Sequence, residues 1–175
     1  IERTIRGGSP VGTLLAAVDR TSSAMGARCL RRWLAAPLRD PAAIRERQDA
    51  VAELLNDVHL LAELRADLRQ LADIERITAR LGVGRASPRD LVALGATLLA
   101  VEHIVMLLDE LAHRVAPVIS ETSETSASPR RTLSLFLTMR RDTMCGLHDL
   151  AEYLTTSLSP EAPLVTNEGG IIAPG

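Results

Sequence analysis

Residues 87–112 constrain the fold more than any other stretch. Ser87-Pro88-Arg89-Asp90 opens them with a capping hydroxyl, a proline at the first helical position and an acid two residues further on. Leu91, Leu94, Leu98, Val101, Val105, Leu108 and Ala112 then recur at alternating spacings of three and four. That is the period of one helical face, held for about three heptads. Other faces of the same stretch are apolar too. The spacing therefore predicts a long helix over 88–113 buried between neighbouring helices, rather than an exposed coiled coil.

The rest of the chain supplies such neighbours. Thr13 is placed to cap a short helix through Val18, and Ser23 to cap a second. Met25, Cys29, Leu30, Trp33 and Leu34 share one face of this second helix, Arg28, Arg31 and Arg32 point mainly the other way, and Pro37 ends it. Asp40-Pro41 starts a helix to about Leu55, with Ile44, Val51 and Leu55 expected inward. Asp57 opens the next, with Leu60, Leu64, Leu68 and Leu71 as its stripe. Asp73 caps a short one holding Ile74, Ile77 and Leu81, closed by Gly82 and Gly84. Residues 117–129 are rich in Ser and Thr and read as a flexible loop. A last long helix is expected over 130–158, with Leu133, Phe136, Met144, Leu147, Leu150, Leu154 and Leu158 inward. The tail reads as turns with at most one short strand. The expected fold is all-α: an array of about six or seven helices, two of them long, forming a single partial domain over 1–175.

Composition agrees. The chain is 46% hydrophobic but 2% aromatic, and its apolar content is mostly Leu, Ala, Val and Ile. Its formal net charge of −2 makes it no nucleic-acid polycation. Residues 1–40 hold seven arginines against Glu2, Asp19 and Asp40. All 20 basic residues are arginine, which excludes a P-loop lysine, a Schiff-base lysine and a Ser-Lys dyad. Cys29 and Cys145 read as reduced thiols of a cytoplasmic protein, with no secretory signal and no apolar run long enough to span a bilayer. A chain that starts on Ile1 and stops on Pro174-Gly175 reads as a piece of a larger protein.

The chemistry-bearing residues form no constellation. His103 and His113 share a helix but sit ten residues apart. That is roughly 15 Å along the axis, too far to share a metal. His59 and His148 stand elsewhere, and all four read as surface or half-buried residues. Gly82-Val83-Gly84 lacks the third glycine and the preceding strand of a dinucleotide loop. Glu75 and Asp109-Glu110 read as solvated helix faces. No catalytic, cofactor-binding or metal-ligating residue is assigned. Arg28, Arg31 and Arg32, with Arg20 and Arg39 nearby, have two readings: solvated or paired with acids, or in contact with a DNA backbone. Gly26 would cost up to about 1 kcal/mol relative to alanine in a helix interior, which suggests a position of tight packing.

Thr13-Leu14-Leu15, Asp19, Thr21, Met25-Gly26, Arg28, Leu30, Trp33-Leu34, Pro37-Leu38 and Asp40 together resemble the opening of the helical core domain of MutS-family DNA mismatch repair proteins. Val18 and Ser23 are conservative departures from a leucine and a threonine. The resemblance continues at Ile44, Arg47, Val51 and Leu54. It resumes over Asp73-Ile74-Glu75-Arg76-Ile77, Arg80-Leu81, Gly84-Arg85-Ala86 and Pro88-Arg89-Asp90-Leu91, and returns at Gly169-Gly170, Ile172 and Gly175. Residues 115–160 match poorly.

The resemblance implies a structural core segment, cut before the lever helix and clamp, that couples ATPase and DNA-clamp domains and carries neither activity. It implies that Met25, Leu30, Trp33 and Leu34 anchor the core, that Gly26 is a close-packing position, and that the arginines are mainly interface and surface groups. The Phe-x-Glu mismatch wedge of the family is missing, since Phe136 is followed by Leu137-Thr138. ATP and magnesium are expected for the parent and no cofactor for this segment. The expected partners are other domains of the parent chain and, through it, mismatched duplex DNA. No membrane partner is expected. Long helices left uncovered would favour self-association. The alternative is a free-standing helical protein-interaction module without a DNA role.

Overall fold

The computed structural model describes residues 9, 11–115 and 135–173. The expected loop at 117–129 and Leu133 lie outside them, as does the side chain of Phe136. The helices are α1 (Leu14–Val18), α2 (Ala24–Ala35), α3 (Pro41–Leu55), α4 (Val58–Gln70), α5 (Ile74–Gly82), α6 (Pro88–Val115), α7 (Leu135–Met144) and α8 (His148–Ser157). The first five begin where short polar side chains take up free backbone N–H groups. Thr13 accepts from Ala16 N, Ser23 from Gly26 N, Asp40 from Ala42 N, Asp57 from Leu60 N and Asp73 from Arg76 N. At α6 the cap is reciprocal: Asp90 N donates to Ser87 Oγ (3.2 Å) and Ser87 N donates to Asp90 Oδ2 (2.9 Å).

The fold is all-α around α6. The first half of α6 packs against α5 and α8, joining Leu94 and Leu98 to Ile77, Ala151 and Leu154. Its second half packs against α3, α4 and α7, joining Ile104, Leu107, Leu108 and Leu111 to Ala50, Leu60, Leu64 and Leu137. Thr97 is the fully buried polar exception; its Oγ1 accepts from Ala72 N (3.0 Å) and so satisfies the α4–α5 loop. Cross-contacts run in opposite order along the chain, His148 to Glu102 and Arg89 to Ala162, so α8 lies antiparallel to α6. Past α8, Leu158 and Ile172 form an isolated antiparallel bridge, within the single short strand expected of the tail.

Several expectations are corrected. The second long helix is two: Gly146 adopts φ +87°, which a side chain resists, and α7 ends before it while α8 begins after it. Leu147 and Leu150, expected inward, are exposed, whereas Ala151 is fully buried. On α3 the buried side is Ala50, with Leu54 partly buried, while Val51 and Leu55 are exposed. The packed helices lie on the Ala50 side, and tertiary contact outweighs α3's own weak pattern. The bilayer expectation fails on α6, where Pro88–Arg114 is long and apolar enough to cross a membrane. Glu102 is too isolated a charge to lower that average. Its contacts nevertheless make α6 the core helix of the bundle.

The helix-packing glycine is Gly95, which is buried. A Cβ there would stand 2.9 Å from Leu154 Cβ and 3.1 Å from Thr155 Cγ2. At Gly26 the nearest atoms belong to its own cap and the residues before it, Ser23 Oγ at 3.1 Å and Thr21 Cβ at 3.5 Å, so the closest approach there is local.

Candidate functional site

Helix α2 differs from the other long elements in having no buried residue. Met25, Cys29, Leu30 and Leu34 are half-buried, and Trp33 is 39% exposed. None of them belongs to, or packs against, either core cluster. Among the described residues, Met25, Leu30, Trp33 and Leu34 therefore do not anchor either buried cluster, the role implied for them. Trp33 instead lies under a guanidinium, with Arg47 Cζ 3.7 Å from its ring centre.

Arg28 ties α2 to the start of α5. Its Nη1 and Nη2 donate to the two oxygens of Asp73 (2.8 and 2.7 Å), and its Nε donates to Glu75 Oε2 (2.7 Å). A planar fork on a carboxylate is the geometry arginine is built for. Arg80 repeats it between α5 and α6, with Nε donating to Asp90 Oδ2 (3.0 Å) and Nη2 to Asp90 Oδ1. Arg89 Nε then donates to Ala162 O (2.8 Å), tying α6 to the tail. A chain of charged contacts thus runs α2–α5–α6–tail. Of the sequence-predicted arginine cluster, Arg28 is paired, Arg20 Nη1 donates to Asp19 O, and Arg31, Arg32 and Arg39 are exposed. The acids expected to be solvated also pair: Glu75 with Arg28, Asp109 with Arg141 and Glu110 with Arg114.

Arg28 beside Asp73 holds that carboxyl down to about 2, and Arg80, helped by Ser87 N–H, holds Asp90 down to about 2. The arginines rise above their already high ordinary value in return. In the unfolded chain both acids titrate near 3.8, so between about pH 4 and 2 unfolding takes up protons that the native state refuses. Their stabilisation is complete above that window and is lost as pH falls through it. Asp90→Asn should lower Tm at neutral pH and flatten the fall of Tm between about pH 4 and 2, read by circular dichroism melts.

The histidines are dispersed. His103 Nδ1 contacts Asp67 Oδ2 (2.7 Å), His148 Nδ1 contacts Glu102 Oε1 (3.0 Å), and His113 Nδ1 contacts Asp109 O (2.7 Å). The Glu102 carboxylate raises the His148 imidazole above its usual range. Among the described residues no three His, Cys, Asp or Glu side chains are arranged to hold a metal ion. A cleft of about 460 Å³ is lined by Glu46 of α3 and Met139, Arg140, Asp142 and Thr143 of α7, without a nucleophile–base pair among them.

The resemblance picks out Arg28, Asp73, Glu75, Arg80, Arg89 and Asp90 without assigning them partners; opposite charges at those positions were the available signal. Gly95 and Thr97 left no such mark.

A family model described as MutS domain III matches residues 1–174. The DNA mismatch repair protein MutS of Nostoc punctiforme is 41% identical over 174 residues, 99% of this chain and 17% of that protein. The MutS of a Synechococcus species is 42% identical over 172 residues, 98% of this chain and 17% of that protein. The MutS of Symbiobacterium thermophilum is 36% identical over 175 residues, the whole chain and 18% of that protein. The chain thus spans less than a fifth of the length of these relatives. With the family model matching residues 1–174, the chain belongs to the MutS domain III family.

Proposed function

We propose that the chain is the structural core segment of a MutS-like mismatch repair ATPase, joining its ATP-hydrolysing and DNA-gripping parts and carrying neither activity. The supporting observation is that α6 packs into two apolar clusters with α3, α4, α5, α7 and α8, and that Arg80 ties α5 to Asp90 of α6, so these helices form one unit. Rigid packed elements are what mechanical coupling requires. Its partners are the other domains of the longer protein and, through them, mismatched duplex DNA in the cytoplasm. ATP and magnesium bind elsewhere in that protein. Family membership counts against a free-standing interaction module. Leu99 and Met106 on α6, with Leu150 and Tyr153 on α8, are exposed and support self-association of the isolated chain, measurable by light scattering.

The test is titration of the 175-residue chain with matched and mismatched duplexes at two salt concentrations, following ATP turnover in the same samples. No mismatch preference and no turnover is the expected result. Salt-sensitive binding without mismatch preference would make exposed arginines such as Arg32 and Arg39 a backbone contact. Mismatch preference or turnover would overturn the proposal.

A further inference from the structure

Among the described residues α2 has no buried residue and joins neither apolar cluster, and charged contacts are prominent among its ties to the bundle. Arg28 reaches Asp73 and Glu75, Arg47 covers Trp33, and Arg65 Nη2 donates to Arg20 O (3.2 Å) in the loop before α2. The paired side chains keep contact with water, at 30% exposure for Arg28, 19% for Asp73 and 52% for Glu75. Both ends of α2 lead into non-helical segments, residues 19–23 before it and 36–40 after it, and every residue of the second is exposed.

We infer that α2 is a charge-docked arm, held on the bundle by Arg28 and released as a unit, by pivoting at residues 36–40, while α3–α8 stay folded. At about 1 M salt screening acts most on the half-exposed Glu75 contact and less on the part-buried Arg28–Asp73 fork, so ionic strength loosens this dock in part and leaves the apolar clusters under α6 intact. Burial and hydrogen bonding differ between α2 and α6, and regions so divided open separately. The inference goes beyond the mismatch-repair reading and does not depend on it, because neither DNA nor nucleotide enters.

Trp33, the sole tryptophan, reports on the arm. Hydrogen exchange of α2 and α6 amides, with acrylamide quenching of Trp33, is measured on the 175-residue chain in low salt and in about 1 M NaCl. Arg28→Ala should speed α2 exchange about fivefold and raise quenching, with α6 protection unchanged. Salt should speed α2 exchange in the unaltered chain by less than Arg28→Ala does, and add little to that variant. Glu75→Gln, which keeps the Asp73 fork and the α5 cap, should give a smaller acceleration and serves if Arg28→Ala does not fold. Exchange of α2 and α6 amides through one common opening would overturn the inference. So would α2 exchange that neither salt nor these substitutions alter.

Discussion

Leu108→Ala is expected to lower unfolding free energy by about 3 kcal/mol, a fall in Tm of roughly 6–12 °C. Leu108 is 4% exposed and lies in the cluster that α6 makes with α3, α4 and α7. Removing the isopropyl end of its side chain forfeits the transfer energy and leaves a cavity. Ile104, Leu107, Leu111 and Leu64 around it are fixed by their own helices, so collapse is partial. The measurement is chemical denaturation of the purified chain. Leu99→Ala, on the same helix but 42% exposed, is the control and should cost far less. Equal losses at the two positions would mean that α6 does not sit in the bundle as described.

Gly95→Ala should destabilise the chain by about 1–3 kcal/mol, against the up to about 1 kcal/mol that alanine gains in helix propensity. The new methyl would lie 2.9 Å from Leu154 Cβ, an atom anchored directly to the α8 backbone. It cannot swing aside as a side-chain end would, so α8 must shift away from α6 and loosen Ala151 and Leu154 with it. Gly82→Ala is the comparison. A Cβ there meets nothing within 4 Å, so that variant should be nearly neutral or slightly stabilised. Denaturation midpoints of the two variants, side by side, separate packing from propensity.

The starts of α1 to α6 were legible because each is decided within four residues, whereas α8 has no side-chain cap and its start left no such mark. Ser23, Asp40, Asp57, Asp73 and Ser87 could be read as caps from their own hydroxyl or carboxylate and the first helical turn beyond it. The stripe of α6 was legible for a related reason: a helix surrounded on several sides has an apolar residue wherever a neighbour arrives. Leu94, Leu98, Val101 and Leu108 lie buried as expected, and Ile104, Leu107 and Leu111 join them. On α3, with one packed side, Val51 and Ala50 are adjacent candidates, and only the position of the other helices chose Ala50.

The charged ties divide in the same way. Family likeness marked Arg28, Asp73, Arg80 and Asp90 as a set, but pairing Arg28 with Asp73 joins residues 45 apart, and no local pattern carries that choice. Gly26 and Gly95 show the converse. Both are glycines within helices, yet one faces its own cap and the other faces α8.

By itself the sequence determined the all-α class, the starts of α1 to α6, the central place of α6 and membership of a family. These depend on backbone chemistry within a turn or on a pattern repeated along one element. The tertiary structure alone decided which side of α3 is buried, that α7 and α8 part at Gly146, that Gly95 is the contact glycine, and that Arg28 ties α2 to Asp73 and Glu75. Each of those outcomes is set by where a second element arrives, and that position is a property of the whole bundle.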